Sequence, residues 1–372
     1  MLAVDGARRF IVGTYQLPKV AEPWQELREA GFNLLHTGTS PEELANARAH
    51  GLDAWVSIGS LNPAQRAQDE ARLKKLILSV KDHPALLFWE TEDEPSYIWK
   101  KPLEARVPPQ NIIDTYQFVK RLDPARPFYL NHAPTNLVST LRRYNGGADI
   151  VATDIYPVVP HGIREMYALW PDGRQGDFPD AHISQVGDYA DKMRRVAGPA
   201  RAVFMVLQGF AWEKLREKDQ DPKMVQYPTR AELRFMAYQS IVHGANGIIY
   251  WGLPYTPPEA PLWRDLKSVT QELKALRTAL AGRRVGLAMA FEYHDTGHSL
   301  SRGIEWIAKP AADAVLLIAA NADPNPVDVS FTGLVGFRQL ESLFESRQLA
   351  WENGKFRDSF PPFAVHVYRL KR

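Results

Sequence analysis

The stretch Trp89-Glu90-Thr91-Glu92-Asp93-Glu94-Pro95 follows directly on the apolar run Leu86-Leu87-Phe88 and carries four carboxylates in five positions. A short apolar run ending in an acidic cluster reads as a buried strand whose C-terminal end meets solvent. Carboxylates crowded at a partly buried strand end repel one another, which raises their pKa values. A carboxylic acid that keeps its proton near neutral pH is what a general acid requires. Trp89 and Pro95 bracket the run tightly, which argues against a merely solvated acidic turn.

Outward from this stretch, short β-branched or aromatic runs alternate with amphipathic segments, the pattern of βα units on a parallel sheet. The runs 10–15, 32–36, 52–58, 85–91, 127–131, 149–154, 202–208 and 247–251 read as eight strands. Helices are predicted over 24–30, 41–50, 64–80, 111–122 and 262–280. Leu73, Leu76, Ile77 and Val80 give the third of these an apolar side at i, i+3, i+4 and i+7. Thr229-Arg230-Ala231-Glu232 has the form of a capping box and opens the helix after strand seven. The helices after strands five and six leave the weakest pattern. Eight repeats over about 285 residues suit a (β/α)₈ barrel.

Beyond the barrel the character changes. The runs 315–320, 327–331, 338–344 and 363–370 alternate or run apolar between Asn/Asp/Pro/Gly turns. The division expected is a barrel over 1–282 and a small all-β domain, a β-sandwich, over 283–372.

Composition narrows the function classes. The 372 residues carry 45 Lys+Arg against 43 Asp+Glu, and no basic stripe stands out, so nucleic acid is not expected as a partner. Without cysteine there is no disulfide, thiolate nucleophile or cysteine-ligated zinc. No apolar run of about 18 or more residues exists, so no membrane-spanning helix is expected. Residues Met1 to Arg9 lack the basic-then-apolar pattern of a signal peptide. The chain is therefore expected either to be cytosolic, or to be secreted or periplasmic with its leader absent. Ten Trp, 14 Tyr and 16 Phe exceed what core packing alone requires, and flat rings suit the apolar faces of sugars.

In a (β/α)₈ barrel the reacting groups sit at the C-terminal ends of the strands. Those ends supply Tyr15, His36, Ser57, Glu92 to Glu94, Asn131 with His132, Asp154 with Tyr156, Gln208 and Trp251. Tyr97, Trp99 and Trp212 lie in loops at the same mouth. His36 and His132 lack the spacing of metal ligands, so neither a metal nor a cofactor is expected.

At this point the chain resembles the clan A glycoside hydrolases, whose fourth strand ends in Asn-Glu-Pro, often after Trp-Glu. The resemblance spans the whole chain. It places Glu94 as acid/base and Asp93 where an Asn usually contacts a sugar hydroxyl. Asp154-Ile155-Tyr156-Pro157, His243-Gly244-Ala245-Asn246-Gly247, Trp251 and the C-terminal β domain are also similar to such enzymes. What the resemblance implies is hydrolysis of an oligo- or polysaccharide, with Trp251 as a sugar platform. Tyr15, His36, Asn131, His132, Tyr156, Gln208 and Trp212 are then expected as further substrate contacts.

One departure matters. Retaining clan A enzymes place a nucleophilic Glu at the end of strand seven, and here Gln208 stands there. An amide cannot form the glycosyl ester. Three routes stay open: Asp154 as base for an activated water, with inversion and a carboxyl separation of about 6.5–9.5 Å; Glu213 as nucleophile; or a substrate 2-acetamido group oriented by Asp93 or Asp154, with Gln208 as a hydrogen-bond partner. Asp154 with inversion is the first expectation. The rival from another class is a carbohydrate-binding protein that has lost catalysis. An aldolase or metal-dependent hydrolase would need a barrel-end Lys or a His/Asp cluster, and no strand end offers one.

Overall fold

The computed structural model describes residues 2–4, 6–98, 101, 103–160, 182–294 and 300–372. Eight parallel strands close into a barrel: β1 (Ile11–Thr14), β2 (Leu34–Thr37), β3 (Asp53–Ser57), β4 (Leu86–Glu90), β5 (Phe128–His132), β6 (Ile150–Ile155), β7 (Ala202–Gln208) and β8 (Gly247–Trp251). Each pairs with its chain neighbours, and β8 returns to β1 with Gly247 opposite Ile11. The expected (β/α)₈ barrel is thus present. Its strands run apolar because both faces are covered. Trp55, Phe88, Tyr129 and Phe204 fill the interior, with ring centroids 5.7 Å apart for Trp55–Phe88 and 5.5 Å for Phe88–Tyr129.

Around the barrel run α1 (Pro23–Ala30), α2 (Pro41–Ala49), α3 (Arg66–Val80), α4 (Pro109–Leu122), α5 (Val138–Arg142), α6 (Gln185–Ala197), α7 (Arg230–Val242) and α8 (Pro261–Leu280). The capping box opens α7 as its sequence implies, Thr229 accepting from the Glu232 amide and Glu232 from that of Thr229. Leu73, Ile77 and Val80 are the buried face of α3. The weak pattern after strand five has its reason in α5, which is little more than one turn.

The C-terminal part is all-β. β9 (Ala290–Tyr293), β12 (Val327–Thr332) and β14 (Phe356–Phe360) form one antiparallel sheet. β10 (Ile304–Ala311), β11 (Ala314–Asn321), β15 (Val365–Lys371) and β13 (Gln339–Leu343) form the other. Leu317, Ala319 and Tyr368 of the second sheet meet Val329, Phe331 and Phe356 of the first in one core. Leu316, Ile318 and Val367, on the opposite face, join the core of the barrel. β11 is therefore buried along its whole length, which is why it reads as an unbroken apolar run. Among the described residues no helix is long and apolar enough to cross a membrane.

Candidate active site

β4 positions the acidic cluster. Alternation along the strand sends Phe88 inward and Trp89 outward, where its Nε1 donates to Asp123 at 2.9 Å. Glu90 then points back into the barrel mouth and is 1% exposed. Its carboxylate accepts from Ser57 Oγ at 2.6 Å, Trp55 Nε1 at 3.1 Å and Tyr15 Oη at 3.4 Å. Burial first, then the charge of Asp93, raises its pKa to about 7 against the pull of those three donors. The Tyr15 hydroxyl also meets that of Tyr129 at 3.0 Å. His36 closes this inner group with Nε2 2.9 Å from Ser57 Oγ. Burial pushes the His36 pKa down to about 4, so its ring is neutral at physiological pH.

The next residues leave the strand. Glu92 turns outward, accepting from Ser60 Oγ at 2.7 Å and pairing with Arg106 at 3.2 Å. Arg106 also donates to the Asp93 carbonyl. Asp93 is open to water at the mouth yet walled in by protein, and burial raises its pKa despite the amide of Asn131 at 3.0 Å. Glu94 takes a φ of 41°, in the left-handed region that a non-glycine residue enters at a cost of roughly 1 kcal/mol or more. Its amide donates to the Asn131 carbonyl at 3.2 Å, and its own carbonyl accepts from the Tyr97 amide at 3.1 Å. This turn aims the carboxyl across the mouth at β6.

There Glu94 meets Asp154 in a carboxyl–carboxyl hydrogen bond. Burial, then the charge of Asp93, raises Asp154 to about 6, while hydrogen bonds from Glu94, its own main chain and Asn131 oppose the rise. Asn131 Nδ2 bridges Asp93 at 3.0 Å and Asp154 at 3.2 Å, and its Oδ1 has no partner among the described residues. Glu94, Asp154, Asp93 and Asn131 form an outer group above the inner group of Glu90, Tyr15, Ser57 and His36. Among the described residues no cluster of His, Cys, Asp and Glu is placed to hold a metal ion.

An aromatic wall stands beside the outer group. Trp251 stacks on Tyr156 with centroids 5.7 Å apart and planes at 27°. Phe210 meets both edge-on at 5.0 Å, and Trp212 Nε1 donates to the Tyr156 carbonyl at 3.1 Å. Trp251 and Tyr156 are half-buried, so each keeps surface for a ligand. Trp99 lies outside the described residues.

Four expectations change. His132 follows Asn131 and so points the other way, into the helix layer, with its ring edge-on to Tyr144 at 5.9 Å. It is fully buried, and burial, then the charge of Lys192, pushes its pKa down to about 3. It therefore does not face the mouth, where a substrate contact would lie. Gln208 is also fully buried: Oε1 accepts from the Val158 amide at 2.9 Å, and Nε2 donates to the carbonyls of Val158 at 2.9 Å and Phe210 at 3.1 Å. The amide is a bracket between the loops after β6 and β7, with no donor left for substrate. Glu213 is committed to its own loop, accepting from the Asp221 amide at 2.7 Å and paired with Arg216 at 3.5 Å. Finally, in the free protein Asp154 is hydrogen-bonded to Glu94, closer than the separation of about 6.5–9.5 Å expected for an inverting pair.

Glu90 is the residue whose place the sequence reading missed. Its signal was strand parity: a residue two after an inward Phe88 also points inward.

Comparison with protein-family models finds no match, and neither does comparison with curated proteins. Solved structures do match. The chain is similar to a glycoside hydrolase family 30 subfamily 8 xylanase from Clostridium acetobutylicum, with a TM-score of 0.53 and 13% identity over 98% of this chain and 96% of that one. It is similar to an alpha-amylase from Geobacillus thermoleovorans, at 0.58 and 9% over 98% of both chains. A trehalose-6-phosphate hydrolase from Bacillus licheniformis follows at 0.56 and 9%, over 98% of this chain and 99% of that one. The shared architecture is a (β/α)₈ barrel followed by an all-β C-terminal domain. At these identities the likeness is one of fold.

Proposed function

We propose that this protein hydrolyses O-glycosidic bonds of an oligo- or polysaccharide, with Glu94 as general acid/base. The contact between Glu94 and Asp154 carries this reading. Two carboxyls in hydrogen-bond contact share a proton between them. Glu94 is thus poised to protonate a leaving glycosidic oxygen. Trp251 and Tyr156 offer a face for a sugar ring, and Asn131 and Asp93 lie within reach of its hydroxyls.

The second half of the reaction favours substrate assistance. Gln208 and Glu213 are both committed elsewhere, and Asp154 starts in contact with Glu94 rather than across a water-sized gap from it. The nucleophile left is a 2-acetamido oxygen of the sugar itself. It attacks the anomeric carbon as the glycosidic C–O bond breaks and Glu94 gives its proton to the leaving oxygen. Asp154, released from Glu94 by the incoming sugar, accepts a hydrogen bond from the acetamido N–H, which keeps its proton, with Asp93 beside it. Water then opens the cyclic intermediate, Glu94 receives its proton, and configuration is retained. Matched aryl glycosides with 2-acetamido and 2-hydroxyl groups, with NMR of the first anomer released, test the route. Turnover of the acetamido sugar with retention is expected. Inversion would return Asp154 to the role of base for water.

A second reading, a carbohydrate-binding protein without catalysis, draws on the amide bracket at Gln208, which leaves strand seven without a carboxylate. A glycan panel read for both binding and released sugar decides between the two. Binding with no product supports the second reading.

A further inference from the structure

At the opposite end of the barrel, a cavity of about 650 Å³ opens among the strand N-termini and helix C-termini. Its lining includes Arg8, Arg9, Arg28, Arg48 and Arg277, with Asp53 as the one carboxylate among the described lining residues. Asp53 is already paired with Arg9 at 3.0 Å. Among the described residues, Arg8, Arg28, Arg48 and Arg277 have no ion-pair partner. They come from positions far apart in the chain, which is why no basic stripe shows in the sequence.

We infer that this cavity is a binding site for a phosphate-class oxyanion, free or as a phosphomonoester. Arginine in the last turn of a helix ordinarily offsets the negative end of the helix dipole, and Arg28, Arg48 and Arg277 occupy that position on α1, α2 and α8. That role does not account for the balance. Three helix ends supply about half a negative charge each, against four guanidinium groups without a carboxylate. The geometry also presses like charges together. Gly51, at φ 68°, leaves Arg28 lying across it, where a Cβ would come within 3.3 Å of Nε. Arg277 donates to the Gly31 carbonyl, yet its Nε is buried without a partner. Burial and the charge of Arg28 hold its guanidinium below the usual range.

A neighbouring cavity gives the contrast. It too has arginines in its lining, but there Arg142 donates to the Arg195 carbonyl, and Arg201 to those of Ala148 and Asn145. Arg142 and Arg201 are thus spent on main-chain carbonyls, whereas among the described residues no such bond engages Arg8, Arg28 or Arg48. Fork-shaped donors on a concave surface suit the tetrahedral oxygens of a phosphoryl group.

The test is calorimetric titration of the full chain with inorganic phosphate and, separately, glycerol phosphate, with sodium chloride holding ionic strength constant. One saturable site is expected, weakened at least tenfold by Arg28→Ala or Arg48→Ala. Both side chains are exposed, so the fold should tolerate their loss. Arg338→Ala, which removes the same charge from the surface of the β domain, should leave binding unchanged. Tighter binding of glycerol phosphate would assign the organic part to the cavity; equal binding would assign the phosphoryl group alone. Absence of saturable binding overturns the inference, as does a loss in the Arg28 and Arg48 variants no greater than in Arg338→Ala.

Discussion

Glu94 combines a left-handed backbone with a carboxyl turned onto another carboxyl, and both are costs that folding alone does not explain. Asp154 sharpens the point, since a proton shared with Glu94 leaves the pair with a single negative charge. Burial raises the Asp154 carboxyl above the usual aspartate range, so activity should fall with dropping pH while still above that range, as the Glu94–Asp154 pair takes up its second proton. Burial is the larger cause of that rise and the charge of Asp93 the second. Asp93→Asn should therefore move the acidic limb of the kcat/KM profile downward without returning it to an ordinary aspartate value. An unmoved limb would detach Asp93 from the pair.

At the scale of elements, the loops at the mouth are fixed by side chains the sequence makes look functional. Gln208 is the clearest case. Gln208→Glu places a carboxylate at the end of β7 but removes two donors, facing the Val158 and Phe210 carbonyls with negative charge. It should cost on the order of 2–4 kcal/mol and lower Tm by several degrees, with no gain in activity. A stable variant with higher turnover would show that the bracket is dispensable. Legibility followed the same division. Strands buried on both faces, such as β4, β7 and β11, were readable from apolar runs alone. β10 was missed because Lys309 and Pro310 break the pattern, and an edge strand tolerates both. β14 was missed although Phe356, Asp358 and Phe360 alternate inward. In the site, residue types at the strand ends were readable, but their partners were not. Whether Asn131 or His132 faces the mouth depends on one step of parity, and the Glu94–Asp154 contact depends on a single φ angle.

At the scale of the molecule, the β domain is fastened to the barrel by charged clusters. His243, just after α7, lies 3.0 Å from Asp191 and 2.9 Å from Glu305 of β10. Burial opposes its charge, but Glu305 and Asp191 outweigh burial and raise its pKa. Nearby, Glu345 joins His366 at 2.8 Å, Arg347 at 2.5 Å and Arg234 of α7 at 3.5 Å. Burial would raise the pKa of Glu345, yet His366 and Arg347 bring it down to about 2. The contribution of His243 is complete below its unfolded value of about 6.5 and fades as pH rises through the higher folded one. That of Glu345 is complete above about 4.3 and is lost as pH falls towards 2. Denaturant unfolding should show the interface strongest between about pH 4.5 and 6.5. His243→Ala should flatten the alkaline side alone; an unchanged profile would remove His243 from the latch.

The central claim is that Glu94 donates the proton to the leaving group, and leaving-group dependence in Glu94→Gln tests it most directly. A general acid typically contributes about 10²- to 10⁴-fold. Glu94→Gln, with the fold intact, should lose turnover in that range on an unactivated sugar linkage. On an aryl glycoside whose phenolate leaves without a proton it should keep most of its kcat/KM, which reports bond cleavage and not the later step in which Glu94 takes a proton from water. An equal loss on both substrates, or none on either, would contradict the assignment.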